Sequence, residues 1–267
     1  MTPEVLLSAM HLDDENYIDS LNIHSDCVVI NQCDRKCSRT VKHISPSGQE
    51  TDVTYIETQE RGLSKSRNMA IDNASESICI LCDNDVEYVS DYDRIINRAF
   101  ADHPDADVIV FFIKRPERSK PVYAAPKKMG YLSVLKIFSP EIAFRRERIS
   151  GIRFNEMFGA GAKYFMGEEN LFLYDCLKHR KKIVYVPEMI ASVREEESTW
   201  FKGYDSAFFV SRGANYAAMS KAFSVILILQ FALRKRKLYS KDTGTASALA
   251  LMFKGRREYL DTVREKR

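Results

Sequence analysis

The sequence is poor in the residues and patterns that mark special architectures. It has 11 Gly and 8 Pro in 267 residues and no repeated period, which excludes a collagen-like chain, a solenoid array and wholesale disorder. No apolar run reaches the roughly 18–20 residues of a membrane span. The most apolar stretch, residues 222–233 (AFSVILILQFAL), would extend about 18 Å as a helix. There is no Walker A motif and no G-x-G-x-x-G, which argues against P-loop and Rossmann dinucleotide sites. The 5 His show no paired metal spacing, and there is a single Trp. The opening MTPEVLLSAMHLDD has no basic leader before a long apolar stretch, so the expectation is a cytoplasmic protein whose 6 Cys are reduced thiols. Cys79 and Cys82 have zinc-ligand spacing, but three residues apart on a strand they face opposite sides.

What is present is ordinary in bulk and uneven in placement. A hydrophobic content of 45% and a charged content of 29% suit one large α/β domain or two small ones. The net charge of +3 conceals a division, because residues 234–267 carry eleven Lys and Arg against four acids. An acidic body and a basic tail suggest contact with an anionic membrane or nucleic acid. The tail lacks interleaved aromatics and any known nucleic-acid module, so no nucleic-acid partner is expected.

Along the first 113 residues, apolar β-type runs alternate with helical patterns. Val5 to Ala9, Cys27 to Asn31, Asp52 to Glu57, Ser77 to Cys82 and Ala106 to Ile113 are the predicted strands. Several are nearly continuous apolar runs, as in strands covered on both faces. Tyr92, Ile95, Ile96, Ala99 and Phe100 fall on one helix face. This alternation predicts an α/β fold with a mostly parallel central sheet flanked by helices. Residues 114–125 are basic and broken by Pro, Glu141 to Arg146 reads as a strand, and Gly151, Gly159, Gly161 and Gly167 fall within 17 residues. Glu168 to His179 reads as a buried helix, Lys182 to Val186 as a strand ended by Pro187, and everything from Tyr204 as helical. The expected division is 1–203 for the α/β domain and 204–267 for a helical, basic extension.

Two segments carry chemistry. The buried run Ser77-Ile-Cys-Ile-Leu-Cys82 ends in Asp83-Asn84-Asp85, which puts two carboxylates at the C-terminal edge of a parallel sheet, where open α/β folds bind ligands. Such a pair can share a hard divalent cation with substrate phosphates, or it can simply close a strand with an Asx-type turn. Upstream, Glu60-Arg-Gly-Leu-Ser-Lys-Ser-Arg-Asn68 opens a helix with cations where dipole logic would place acids. Lys65 and Arg67 are therefore placed either for an anionic ligand or for salt bridges to the acidic body.

ERGLSKSRNMAIDNASESICILCDNDVEY resembles the central segment of family 2 glycosyltransferases of the GT-A fold, in which an Arg-Gly-x-x-x-x-Arg-Asn helix leads to a strand and a D-x-D motif. MGEENLFLYDCLKHRKKIVYVPE resembles the same family's Gly-Glu-Asp helix and following strand. The resemblance covers roughly residues 4–200, and VLLSAM and VVINQCD are most similar to enzymes that build bacterial surface polysaccharides. It implies a GT-A nucleotide-diphospho-sugar transferase fold with a helical C-terminal extension. Asp83 and Asp85 would hold Mn²⁺ or Mg²⁺ against the donor diphosphate. Ser8, Ala9, Asn31, Gln32 and Asp34 would border the nucleoside, and Arg61, Lys65, Arg67 and Asn84 would help hold the donor.

In the same resemblance Glu169 matches the catalytic Asp, and Glu168 is a rival for the base. Gly167 and the loop Trp200 would lie on the acceptor side, although a lone Trp is also a common packing anchor. Phe158, Tyr164 and Phe165 are open to sugar stacking or to core packing. The implied reaction is inverting transfer of a sugar from a nucleotide donor, commonly a uridine diphosphate, to a glycan on a lipid carrier. The basic helices would rest at the inner membrane surface or form a homodimer interface. A sugar nucleotidyltransferase and a catalytically silent GT-A-like membrane-docking protein are the alternatives. The first is weakened by the missing Gly-rich loop near the first strand.

Overall fold

A computed structural model describes residues 2–46, 48–194 and 203–265. In chain order it contains β1 (Glu4–Met10), α1 (Tyr17–Ser20), β2 (Cys27–Gln32), β3 (Cys37–Ile44), β4 (Glu50–Thr58), α2 (Leu63–Asn73), β5 (Ile78–Asp83) and β6 (Val86–Tyr88). Then come α3 (Tyr92–Asp102), β7 (Val108–Lys114), β8 (Lys127–Lys128), β9 (Ile142–Arg145), α4 (Glu168–Lys178) and β10 (Ile183–Val193). Four helices close the chain: α5 (Ser206–Met219), α6 (Ser224–Arg234), α7 (Arg236–Tyr239) and α8 (Thr245–Glu265). The described residues form two compact units, one within Met1–Arg61, Lys65–Arg153 and Leu173–Glu196, the other within Gly62–Ser64, Phe154–Phe172 and Glu197–Arg267.

The first unit is built on one mixed sheet in the order β3-β4-β2-β1-β5-β9-β7-β10-β6, with β8 on β10. Its parallel part is β4-β2-β1-β5, and β7 also pairs parallel with β10. The antiparallel pairs involve β3, β6, β8 and β9, so the sheet is mixed where a mostly parallel one was predicted. Every residue of β2 is buried, as are all but the last of β1 and β7, because both faces of these strands are covered. Helix α3 buries Tyr92, Ile95, Ile96, Ala99 and Phe100, the face its periodicity predicts.

Two strand expectations need correction. β10 does not stop at Pro187 but runs to Val193, with register shifts against β7 between Tyr185 and Met189 and between Met189 and Ala191. The irregularity accommodates a residue that cannot donate to the ladder. The strand β3 was not predicted. It lies at the open edge of the sheet, mostly exposed and polar, paired only to β4.

The second unit joins α5 to α8 with the Gly-rich segment. Phe158 and Tyr164 are buried and pack on each other and on Tyr259 of α8, with ring centroids 5.0, 5.5 and 6.3 Å apart. This packing explains why the second unit takes in residues well before position 204. It also settles the choice for Phe158 and Tyr164 in favour of the core.

Candidate functional site

The register of the parallel strands aligns the candidate residues in a row. Asp83, the last residue of β5, is opposite Ser8 of β1, Ala9 is opposite Asn31 of β2, and Asn31 is opposite Glu57 of β4. The row lies at the C-terminal ends of four adjacent strands, the edge at which α/β sheets bind ligands.

Beneath it, Arg67 of α2 is 1% exposed. Its Nη2 donates to Asp83 Oδ1 at 2.8 Å and to Ser139 Oγ at 2.7 Å, and Ser139 Oγ lies 3.5 Å from Asp83 Oδ2. A buried guanidinium persists because a carboxylate neutralises it, and the pair fixes the Asp83 side chain at the sheet edge. Arg67 is therefore committed to Asp83. Ser66 Oγ donates to Ser8 Oγ at 2.8 Å, so α2 is pinned to β1 as well as to β5.

Asn84 and Asp85 form the turn between β5 and β6. The turn is held through its backbone, with Tyr17 Oη donating to Asn84 O at 2.6 Å and Arg194 N to Asp85 O at 2.8 Å. The Asn84 side chain is exposed and those of Asp83 and Asp85 are partly exposed. Two hard carboxylates in one strand-turn segment fit a magnesium-like or manganese-like ion that takes its remaining ligands from a diphosphate. No cluster of three or more His, Cys, Asp or Glu suited to a metal occurs among the described residues.

The remaining predicted donor residues are placed as follows. Asn31 uses both ends of its amide on one backbone segment, accepting from Leu12 N at 2.9 Å and donating to Leu12 O at 2.8 Å. Ala9 is buried beside it. Arg61 donates to Asp34 Oδ1 at 2.7 Å and, through Nη1, to Cys33 O at 3.0 Å and Thr58 O at 3.1 Å, clasping the loops that follow β2 and β4. Lys65 pairs with Glu60, and its ammonium holds the Glu60 carboxyl below the ordinary value. Sequence reasoning passed over a shallow pocket next to Asn31, walled by Leu12, Glu15, Tyr55 and Glu57 and rimmed by Arg35 and Arg39. Tyr55 Oη donates to Glu15 O at 2.6 Å, and the Arg39 guanidinium lies 5.3 Å from the Tyr55 ring centroid. The alternating polar and apolar positions of β4 were the signal that Tyr55 points into a wall.

In the second unit, Gly167, Glu168 and Glu169 open α4. Glu168 is buried and Glu169 half-buried. Gly159, at φ +103°, lies so close that a Cβ there would sit 3.2 Å from the Glu168 carboxyl carbon and 3.3 Å from Ser64 Oγ. Ser64 Oγ in turn donates to Phe158 O at 2.6 Å. Gly167 has φ +85°, and Asn215 Nδ2 of α5 donates to its carbonyl at 2.9 Å. Trp200 lies outside the described residues.

A central mixed sheet flanked by helices, with an Asp-x-Asp segment at the C-terminal ends of its parallel strands, is an α/β architecture of the GT-A class. The model for glycosyl transferase family 2 matches residues 21–166, and the chain belongs to that family. No curated protein matches the sequence. Among solved structures, S. aureus TarS 1–349 superposes with a TM-score of 0.58 at 14% identity, covering 99% of this chain and 92% of that one. Its complex with UDP gives 0.59 at 13% identity, with 100% and 92% covered. The mannosyltransferase PcManGT from Pyrobaculum calidifontis, in complex with GDP-Man and Mn²⁺, gives 0.54 at 16% identity, with 94% and 75% covered. At these identities the likeness establishes the fold.

Proposed function

We propose that the protein is a metal-dependent, inverting glycosyltransferase that moves a sugar from a nucleoside diphosphate, with uridine the expected base, to a hydroxyl of a glycan acceptor. The acceptor is carried on a lipid at the inner face of a bacterial membrane, in polysaccharide biosynthesis. The observation that carries the reading is the row Asp83, Ser8, Ala9, Asn31 at one sheet edge, with Asp83 fixed by Arg67. Binding of UDP by one fold neighbour and of GDP-Man with Mn²⁺ by another supports it.

In this reading Asp83 and Asp85 would hold Mn²⁺ or Mg²⁺, which as a Lewis acid would stabilise the departing nucleoside diphosphate. Arg67 keeps Asp83 aimed, and the Arg61 and Asn31 clasps hold the loops that border the nucleoside in the pocket beside Tyr55. Lys65 and Asn84 are the remaining donor contacts. Glu169 removes the proton from the acceptor hydroxyl as that oxygen attacks the anomeric carbon, a single displacement that inverts the centre. Its partial exposure favours it over the buried Glu168, whose carboxyl packs against Gly159. Gly167 sets the start of α4, and Trp200 is proposed on the acceptor side.

The test follows nucleoside diphosphate release from a panel of nucleotide sugars with Mn²⁺, with and without a lipid-linked acceptor. Asp85→Ala is expected to abolish metal-dependent turnover, and unchanged turnover would refute the metal site. Glu169→Gln is expected to lower kcat by roughly 10²–10⁴-fold with Glu168→Gln affected far less, and the reverse order would move the base to Glu168. Release of pyrophosphate would identify a nucleotidyltransferase instead.

A further inference from the structure

Helix α6 is apolar on both sides. Leu227, Ile228 and Ala232 are buried, and α6 packs against α5 and α8. The opposite side presents Ile226 (60% exposed), Leu229 (42%) and Leu233 (69%), continued by Phe223 (64%) before the helix and Leu238 (54%) after it. Positions 223, 226, 229 and 233 follow one another at helical spacing and form one stripe. A helix that is apolar all round belongs in an interior, yet among the described residues nothing covers this half.

The surrounding charge says what does. Residues 220–241 contain Lys221, Arg234, Lys235, Arg236, Lys237 and Lys241 and no acid at all. The run 234–237 is exposed throughout. A two-fold dimer through this face would set each cationic cluster near its own copy, because an isologous interface pairs a patch with itself. An anionic bilayer accepts both the apolar stripe and the cations. Eleven helical residues extend only about 16 Å, and no described helix is long and apolar enough to cross a membrane.

We propose that α6 and α7 form a docking surface for an anionic lipid bilayer. Helix α6 lies in the interfacial plane, its exposed stripe entering the boundary between headgroups and acyl chains while Arg234 to Lys237 meet the anionic headgroups. The inference rests on the lipid-carrier reading for its biological setting, and on α6 and α7 alone for its physics.

The experiment is flotation of the purified full chain with phosphatidylcholine vesicles and with vesicles of phosphatidylcholine and phosphatidylglycerol, at low and high salt. The wild type is expected to float with the anionic vesicles and to detach as salt rises. The pair Ile226→Ser with Leu233→Ser keeps the charge, and Arg236→Gln with Lys237→Gln keeps the stripe. Each pair is expected to weaken partitioning by roughly tenfold or more. All four residues are exposed, so unchanged thermal melting is expected and identifies folded variants. Failure of the wild type to float, or equal flotation of all variants, overturns the proposal. So does an Ile226→Ser, Leu233→Ser protein that turns from dimer to monomer in sedimentation, since the stripe would then be a subunit interface. Flotation as described without sugar transfer supports docking while refuting the proposed reaction.

Discussion

At the crossing of α5 and α8, helix propensity and packing predict opposite signs for the same substitution. A Cβ on Gly213 would lie 1.9 Å from the Met252 carbonyl oxygen, and one on Gly255 would lie 1.9 Å from that of Val210. In a solvated helix interior, Gly→Ala gains about 1 kcal/mol. Here the obstruction is backbone on each side, so the helices would have to part by roughly 1 Å or more. Overpacking of this kind costs about 1–3 kcal/mol and reaches the upper end where no side chain can rotate away. Gly213→Ala and Gly255→Ala are each expected to lose about 2 kcal/mol net. For a chain of this size that lowers Tm by roughly 4–8 °C. Thermal unfolding followed by circular dichroism is the assay, with Gly130→Ala, which meets nothing within 4 Å, as the control. A Tm for Gly213→Ala at or above that of the wild type would show that the crossing is loose and would refute the reasoning.

Arg67→Met should cost roughly 3–5 kcal/mol in denaturant unfolding, because it strips Asp83 and Ser139 of a buried partner; a loss below 1 kcal/mol would mean the pair is replaceable. Gly167→Ala combines a positive φ with a Cβ 2.4 Å from Asn215 Nδ2, so Asn215→Ala should restore only the steric part of its loss, and additivity in a double-mutant cycle would contradict the contact. Burial pushes the Glu141 carboxyl above its ordinary value of 4.5, against the opposing pull of Phe138 N–H and Arg118. The folded chain thus holds that proton more tightly than the unfolded one, and the contribution to stability falls as pH rises from about 4.5 through the folded-state value. Unfolding free energies measured from about pH 4 to pH 7 should show this decline in the wild type and lack it in Glu141→Gln, whose overall stability is lower through the weakened Arg118 contact.

Legibility in the sequence followed burial. Strands β1, β2, β5 and β7 announced themselves because covering both faces demands unbroken apolar runs, and α3 did so because covering one face demands a stripe. The edge strand β3, Cys-Ser-Arg-Thr-Val-Lys-His-Ile, left no such trace, because only β4 pairs with it and most of its side chains meet water. Arg67 illustrates a second limit. Its place in the first turns of a helix left an anionic ligand and a salt bridge to the body both open, and its partner is a carboxylate sixteen positions along the chain, a choice that only the fold makes. Asn31 is similar, since its amide closes on Leu12 through a loop whose path no local pattern encodes. The two acids after Gly167 were visible as a pair, but which is buried depends on Gly159 passing beside Glu168.

The hydrogen bond from Asn215 to the Gly167 carbonyl has a consequence for exchanging parts between relatives. A graft of the C-terminal helices alone would bring a foreign residue to position 215 against a glycine whose missing side chain is the space Asn215 fills. The heritable module is therefore discontinuous: α5 to α8 travel with Phe154–Phe172, as one cassette in two pieces. Chimeras cut at a single point near residue 204 should express as poorly packed protein, and those that exchange both pieces together should fold.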